Sequence, residues 1–216
     1  AIAKTNSENT YGVTFCLSCE TDFVAKNADF VALANSIMDV ALASGAKTVE
    51  ELLQQNLGDM TVGDKLTEQI GRIGEKLEIS DYGVLSGELV VPYIHMGNRV
   101  GVLVQLSQCS EELTEAAKNV AMQVAAMKPV AVDESLVSQD IINRELEMGK
   151  ELAIKEGKPE NLVDKIAQGY LSRYLKENTL TNQLYVKDSS KTVKQYIDSV
   201  QKGTSVVNFK RSSTGK

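Results

Sequence analysis

Tryptophan is absent from this 216-residue chain, histidine occurs once, and proline and cysteine occur three times each. A zinc site built on Cys16 and Cys19 would need two further ligands, and only His95 and Cys109 are on offer. No Ser/His/Asp or Cys/His triad assembles around His95. The odd cysteine count, with no signal-peptide pattern, reads as a reduced, cytoplasmic protein. No apolar run approaches the roughly 20 residues of a membrane span. Neither GxxxxGK[ST] nor a GxGxxG leading from strand to helix occurs, so the chain has no nucleotide site and no cofactor of its own. With 23 Lys and Arg against 29 Asp and Glu, the net charge is -6. That balance argues against nucleic acid as the direct partner, because phosphate binding needs a basic surface. The start, Ala1-Ile2-Ala3-Lys4, lacks an initiator Met and reads as a trimmed chain or fragment.

What is present is a 43% hydrophobic composition, enough for one large domain or two small ones. Ile2 to Thr5 and Tyr11 to Leu17 read as the arms of a hairpin about Ser7-Glu8-Asn9. From Asp22 to about Ser44, apolar residues recur at helical spacing, with Thr21 as N-cap and Gly45 as stop. Thr48 and Glu51 fit a capping box for a short helix to about Gln55, and a second short helix spans about 62 to 70. Gly71 and Ile73-Gly74-Glu75 read as loop. Strands follow over 76–85, 88–96 and 99–106, the last two joined at Met96-Gly97-Asn98, whose Gly and Asn tolerate the positive φ of a tight turn.

Residues 111–127 form a helix with a broad apolar face, ended by Lys128-Pro129. Two charged amphipathic helices, about 134–155 and 160–177, are joined by Glu156-Gly157-Lys158-Pro159. A short connection of this kind makes them antiparallel neighbours, pairing Val137, Ile141, Leu146 and Leu152 with Leu162, Ile166, Tyr170 and Tyr174. A last helix over 190–202 and a strand over 204–210 precede a frayed tail, 211–216. The fold class expected is α+β: two subdomains, each a small antiparallel sheet flanked by helices, over 1–84 and 85–216, with a protruding helical hairpin at about 134–178.

Three features bear on function. Cys16-Leu17-Ser18-Cys19 is a CxxC pair, but its first cysteine lies inside a strand, which favours core cysteines over a redox pair at a helix start. Cys19-Glu20-Thr21-Asp22-Phe23-Val24-Ala25-Lys26-Asn27 is a strand-to-helix corner. Asp22 there is either a dipole-favoured first-turn residue or a contact, and Phe23 either docks the helix or faces a partner. His95, beside Tyr93, reads as a half-exposed strand residue at an edge suited to contact.

The segment from Thr21 to Lys26 resembles the most specific signature of the bacterial elongation factor Ts family. Ile73-Gly74-Glu75, then Tyr93-Ile94-His95-Met96-Gly97 with Arg99 to Val104, Val120 to Pro129, Gly157-Lys158-Pro159 and Ser190 to Val193 continue the resemblance in order. The resemblance implies a guanine-nucleotide exchange factor, not an enzyme. Its partner would be GDP-bound elongation factor Tu, a GTPase of protein biosynthesis. Thr21, Asp22, Phe23 and Val24 would enter the GTPase domain near its magnesium and phosphate site, with Gly74 and Glu75 nearby. His95, Gly97 and Arg99 would meet the partner's distal domain. The family's initial helical domain has no counterpart here, and its extra C-terminal segment is short or missing. The hairpin resembles the family's projecting coiled coil, which can serve homodimer formation or partner contact. Two rivals are an assembly module built on that hairpin and a CxxC thiol redox protein.

Overall fold

The computed structural model describes residues 1–215. Two three-stranded antiparallel sheets carry the fold, so the class is α+β. The first sheet has the order β1-β2-β5, from β1 (Ile2–Thr5), β2 (Tyr11–Ser18) and β5 (Glu78–Ser86). Between β2 and β5 lie α1 (Asp22–Ala25), α2 (Ala28–Ser44), α3 (Val49–Leu53), the ribbon β3 (Asn56–Leu57) with β4 (Met60–Thr61), and α4 (Val62–Ile73). The second sheet has the order β10-β7-β6, from β6 (Leu89–Ile94), β7 (Val100–Leu106) and β10 (Val206–Ser213). Between β7 and β10 lie α5 (Glu111–Met127), α6 (Gln139–Lys155), α7 (Glu160–Asn178), the ribbon β8 (Leu184–Tyr185) with β9 (Asp188–Thr192), and α8 (Val193–Val200).

Alternation along the strands builds three cores. Val13, Phe15 and Leu17 of β2 point to one face and meet Phe30, Leu33, Ile37 and Met38 of α2. Val102, Val104 and Leu106 of β7 meet Leu113, Val120 and Val124 of α5. The opposite faces of the two sheets meet each other through Ala3, Leu85, Val90 and Leu103. Strand β2 is therefore buried on both sides, which is why Tyr11–Ser18 lacks a polar alternation. Glycines set the close approach: a Cβ at Gly12 would sit 3.0 Å from Leu103 Cδ2, and one at Gly101 would sit 2.9 Å from Thr14 Oγ1.

The structure departs from the sequence expectations at several points. The helix expected from Asp22 is broken at Lys26, because Asn27 Oδ1 accepts from the amides of Asp29 and Phe30 and starts α2 afresh. The Thr48–Glu51 box is half formed: Thr48 caps Glu51, but the Glu51 carboxylate accepts from Lys47 N. Gly71 and Ile73 are helical, and Gly74 ends α4 in the left-handed region at φ 79°. The first hairpin helix starts at Gln139, capped by Ser138, after a 3-10 turn at Glu134–Leu136. Residues 190–192 are strand, and a full capping box of Thr192 and Gln195 opens α8. The tail does not fray at 211: Ser212 Oγ donates to Asp81 O, Ser213 N donates to Asp81 Oδ2, and Thr214 N donates to Arg99 O. The last residue of the expected tail lies outside the described residues.

The α6–α7 pair packs extensively only on itself. Its seam keeps Tyr170 of the expected pairing, whose Cβ lies 3.2 Å from a Cβ built at Gly149, but is otherwise not the one expected from the large apolar residues. It runs through Glu145, Gly149 and Ala153 against Ala167 and Leu171, with Leu152 and Leu162 each 41% exposed on its flanks. Small residues at i, i+4 spacing let the backbones approach, and a Cβ at Gly149 would lie 3.0 Å from Ala167 Cα.

Candidate functional site

Strand β2 ends at Ser18, and the chain turns through Cys19, Glu20 and Thr21 into α1. Thr21 is extended (φ -124°, ψ 150°) and caps α1, its Oγ1 accepting from Val24 N at 3.4 Å. No residue of α1 is buried. Val24 packs partly against the first core, whereas Phe23 is 90% exposed. Covering a side chain of this size contributes up to about 2–3 kcal/mol of transfer free energy, which a partner surface closing over Phe23 would gain.

Glu75 fixes the base of this corner. Its Oε2 accepts from the amides of Glu20 and Thr21, both at 3.0 Å, and its Oε1 accepts from the Thr21 hydroxyl at 2.6 Å. The Thr21 hydroxyl bond, with the two amides behind it, holds the Glu75 carboxyl below the usual glutamate range. Gly74 supplies the left-handed step that aims this carboxylate out of α4.

The turn between β6 and β7 completes the site. Asn98 N donates to His95 O, and Gly97 and Asn98 take φ of 83° and 53°, as their residue types allow. Arg99 Nη2 lies 3.4 Å from Asp22 Oδ1. Thr21, Asp22, Gly97, Asn98 and Arg99 thus line one open cleft of about 720 Å³. The His95 backbone closes the turn, but its side chain is apart from these contacts. The residue lies just past β6 rather than within a strand, is exposed, and shares a hydrogen bond between its Nδ1 and Tyr93 Oη at 3.1 Å.

Sequence reasoning brought Thr21, Asp22, Phe23, Val24, Gly74 and Glu75 to one neighbourhood, but missed two features. The Arg99–Asp22 pairing was one. The other is Met96, 89% exposed at the turn apex, next to Phe23 in rank of display. A large apolar residue between His95 and Gly97 in a tight turn was the signal.

The CxxC pair is not arranged for thiol chemistry. Cys16 is buried within β2, and the Cys19 thiol donates to Thr21 O at 3.3 Å. Burial pushes both thiols up, away from the thiolate that a redox nucleophile needs. Among the described residues, no three His, Cys, Asp or Glu side chains gather as a metal site, and no helix is long and apolar enough to cross a membrane.

Comparison with known proteins adds the lineage. The family model described as Elongation factor TS matches residues 20–216. The chain belongs to the elongation factor Ts family. Elongation factor Ts of Christiangramia forsetii is 48% identical over 215 residues, covering all of this chain and 78% of the relative. Elongation factor Ts of Amoebophilus asiaticus is 45% identical over 216 residues, with the same coverage. That of Flavobacterium psychrophilum is 46% identical over 215 residues, again covering 78% of the relative. The family match begins at Glu20, so the Glu75-clamped corner and the Arg99 turn both lie within it.

Proposed function

We infer that the chain is a guanine-nucleotide exchange factor that binds GDP-bound elongation factor Tu and speeds GDP release, without a reaction of its own. The observation that carries this is Phe23, displayed at 90% exposure on a corner whose base is held by three hydrogen bonds. Phe23 acts as a wedge between partner side chains beside the partner's magnesium and phosphate site. Asp22 competes there for polar contacts and shifts the elements that hold the metal. Magnesium neutralises the diphosphate, so disturbing it leaves negative charge uncompensated and nucleotide departs. Family membership supports the partner's identity; the exposed corner supports the mode of contact.

The two sheets divide the labour, the first closing with β5 at Ser86 and the second opening with β6 at Leu89, so the boundary falls just past the expected 84/85. The first unit brings Thr21, Asp22, Phe23 and Val24, with Gly74 and Glu75 behind them. The second brings His95, Gly97 and Arg99 to the distal part of the partner. Protein biosynthesis in the cytoplasm is the setting that this partner requires.

Linkage makes the coupling reciprocal: a factor that weakens GDP binding is itself weakened by GDP, typically by about 1–3 kcal/mol or more. Calorimetric titration of nucleotide-free and GDP-loaded elongation factor Tu tests this. Tighter binding to the nucleotide-free form is expected; equal affinity for both forms refutes this coupling, because a ligand without differential affinity shifts nothing.

Self-association through α6 and α7 is favoured by a separate observation: Met148, Leu152, Ile154 and Leu162 remain exposed on the hairpin. A sedimentation profile that stays monomeric at high concentration would remove it.

A further inference from the structure

One turn of helix does not hold its own shape: nucleation fixes several dihedrals for a single hydrogen bond. Helix α1 has four residues, none buried, and its cap bond from Val24 N to Thr21 Oγ1 is long at 3.4 Å. Its order must come from outside. Among the described residues, the only charged side chain bonded to the residues just before it is Glu75, 54 positions from Thr21 in sequence.

We propose that Glu75 is the positioning residue of the exchange corner: its carboxylate sets the direction in which Asp22 and Phe23 leave the body. This rests on the exchange function inferred above. Bonds to a carboxylate are stronger than neutral ones, and here three converge on a single group. The Thr21 hydroxyl forms a relay, donating to Glu75 Oε1 while accepting from Val24 N, so the clamp reaches the first turn of α1. The other end is anchored as well. Gly74 N donates to Ile70 O at 2.8 Å, and α4 is fastened to the first core by Val62 and Leu66. Oε2 is taken by two amides and Oε1 by a hydroxyl, so both carboxylate oxygens are engaged by the corner itself. Glu75 therefore acts through Phe23 rather than by touching the partner, which changes the role that the resemblance gave it.

The test uses the full chain with Glu75→Ala, Glu75→Gln, Thr21→Val, Thr21→Ser and Phe23→Ala, and has two readouts. In the free chain, amide hydrogen exchange at Glu20 and Thr21 reports the clamp. With elongation factor Tu, the maximal rate of stimulated GDP release and the half-saturating concentration report function. Expected for Glu75→Ala are amides exchanging at least about tenfold faster and a maximal rate lowered at least about tenfold, the scale for misplaced contact groups. Glu75→Gln keeps a carbonyl for both amides and an NH2 for the Thr21 oxygen, so it stays within about threefold. Thr21→Val impairs release and Thr21→Ser restores it, which covers the case in which Glu75→Ala folds poorly. The Phe23→Ala, Glu75→Ala double variant releases no more slowly than Phe23→Ala alone. Wild-type release by Glu75→Ala, or losses that multiply in the double variant, would overturn the proposal. Failure of the wild-type chain to stimulate release would remove the exchange function instead. The free-chain amides then still decide the clamp, and unchanged protection in Glu75→Ala would refute it.

Discussion

Arg99 Nη2 lies 3.4 Å from Asp22 Oδ1 and so joins the β6–β7 turn of the second sheet to the corner that follows β2 of the first. Both side chains are 70% exposed, so the pair is screened and adds little to stability. Its consequence is geometric, because it aligns the two loops that are proposed to face the partner. Arg99→Ala is expected to leave Tm within about 2 °C while lowering stimulated GDP release by roughly threefold at low salt, with a smaller loss at high salt. A large fall in Tm would mean that Arg99 supports the fold itself.

Glu75 gives a pH dependence whose sign is fixed. Its folded carboxyl is held below the ordinary value of 4.5, mainly by the Thr21 hydroxyl. The order it contributes is therefore complete above 4.5 and is lost as pH falls through the lowered folded value. Amide protection at Glu20 and Thr21 should stay level from about pH 7 to about pH 4.5 and decline only below that, with no such step in Glu75→Gln. A decline between about pH 7 and pH 5 would assign the order to another group.

The sheet-to-sheet contact is sensitive at Gly101, where a Cβ meets Thr14 Oγ1 at 2.9 Å and Ile2 O at 3.2 Å. The neighbouring groups include backbone, which cannot swing aside. Gly101→Val is expected to destabilise the chain by about 1–3 kcal/mol, or roughly 3–10 °C in Tm by calorimetry. An unchanged Tm would show that the two sheets are free to separate.

The hairpin should be dispensable for exchange. Gly149→Leu places a side chain where Ala167 Cα already stands 3.0 Å from an added Cβ, so α6 and α7 must part. Helical signal by circular dichroism falls, while GDP release stays within about twofold, because α6 and α7 pack extensively only on each other. A collapse of release would give the hairpin a direct part in partner contact.

Local chemistry was readable from the sequence. The bounds of α5, the turn at Gly97 and Asn98, and the caps at Thr21 and Gly45 follow from residue type and spacing alone. Long-range pairing was not. Nothing near Glu78 announces that β5 closes against β2 after four intervening helices, nor does 206–213 announce its register on β7. The tail was misread for this reason: its anchors are backbone bonds and Asp81, not apolar side chains. The hairpin seam was misread because large apolar residues dominate a sequence pattern, while close helix contact selects glycine and alanine. At the site, Asp22 and Phe23 stood out by motif, but the Glu75 clamp joins residues 54 apart and needed coordinates.

The most direct measurement follows release of a fluorescent GDP analogue from elongation factor Tu as this chain and its Phe23→Ala variant are titrated. The wild-type chain should accelerate release in a saturable way. Phe23→Ala should lower the maximal rate by roughly tenfold or more. Its folding stability should stay within about 0.5 kcal/mol of wild type, as expected for a surface position. Equal acceleration by a well-folded Phe23→Ala, or none by the wild-type chain, would contradict the exchange function inferred from this corner.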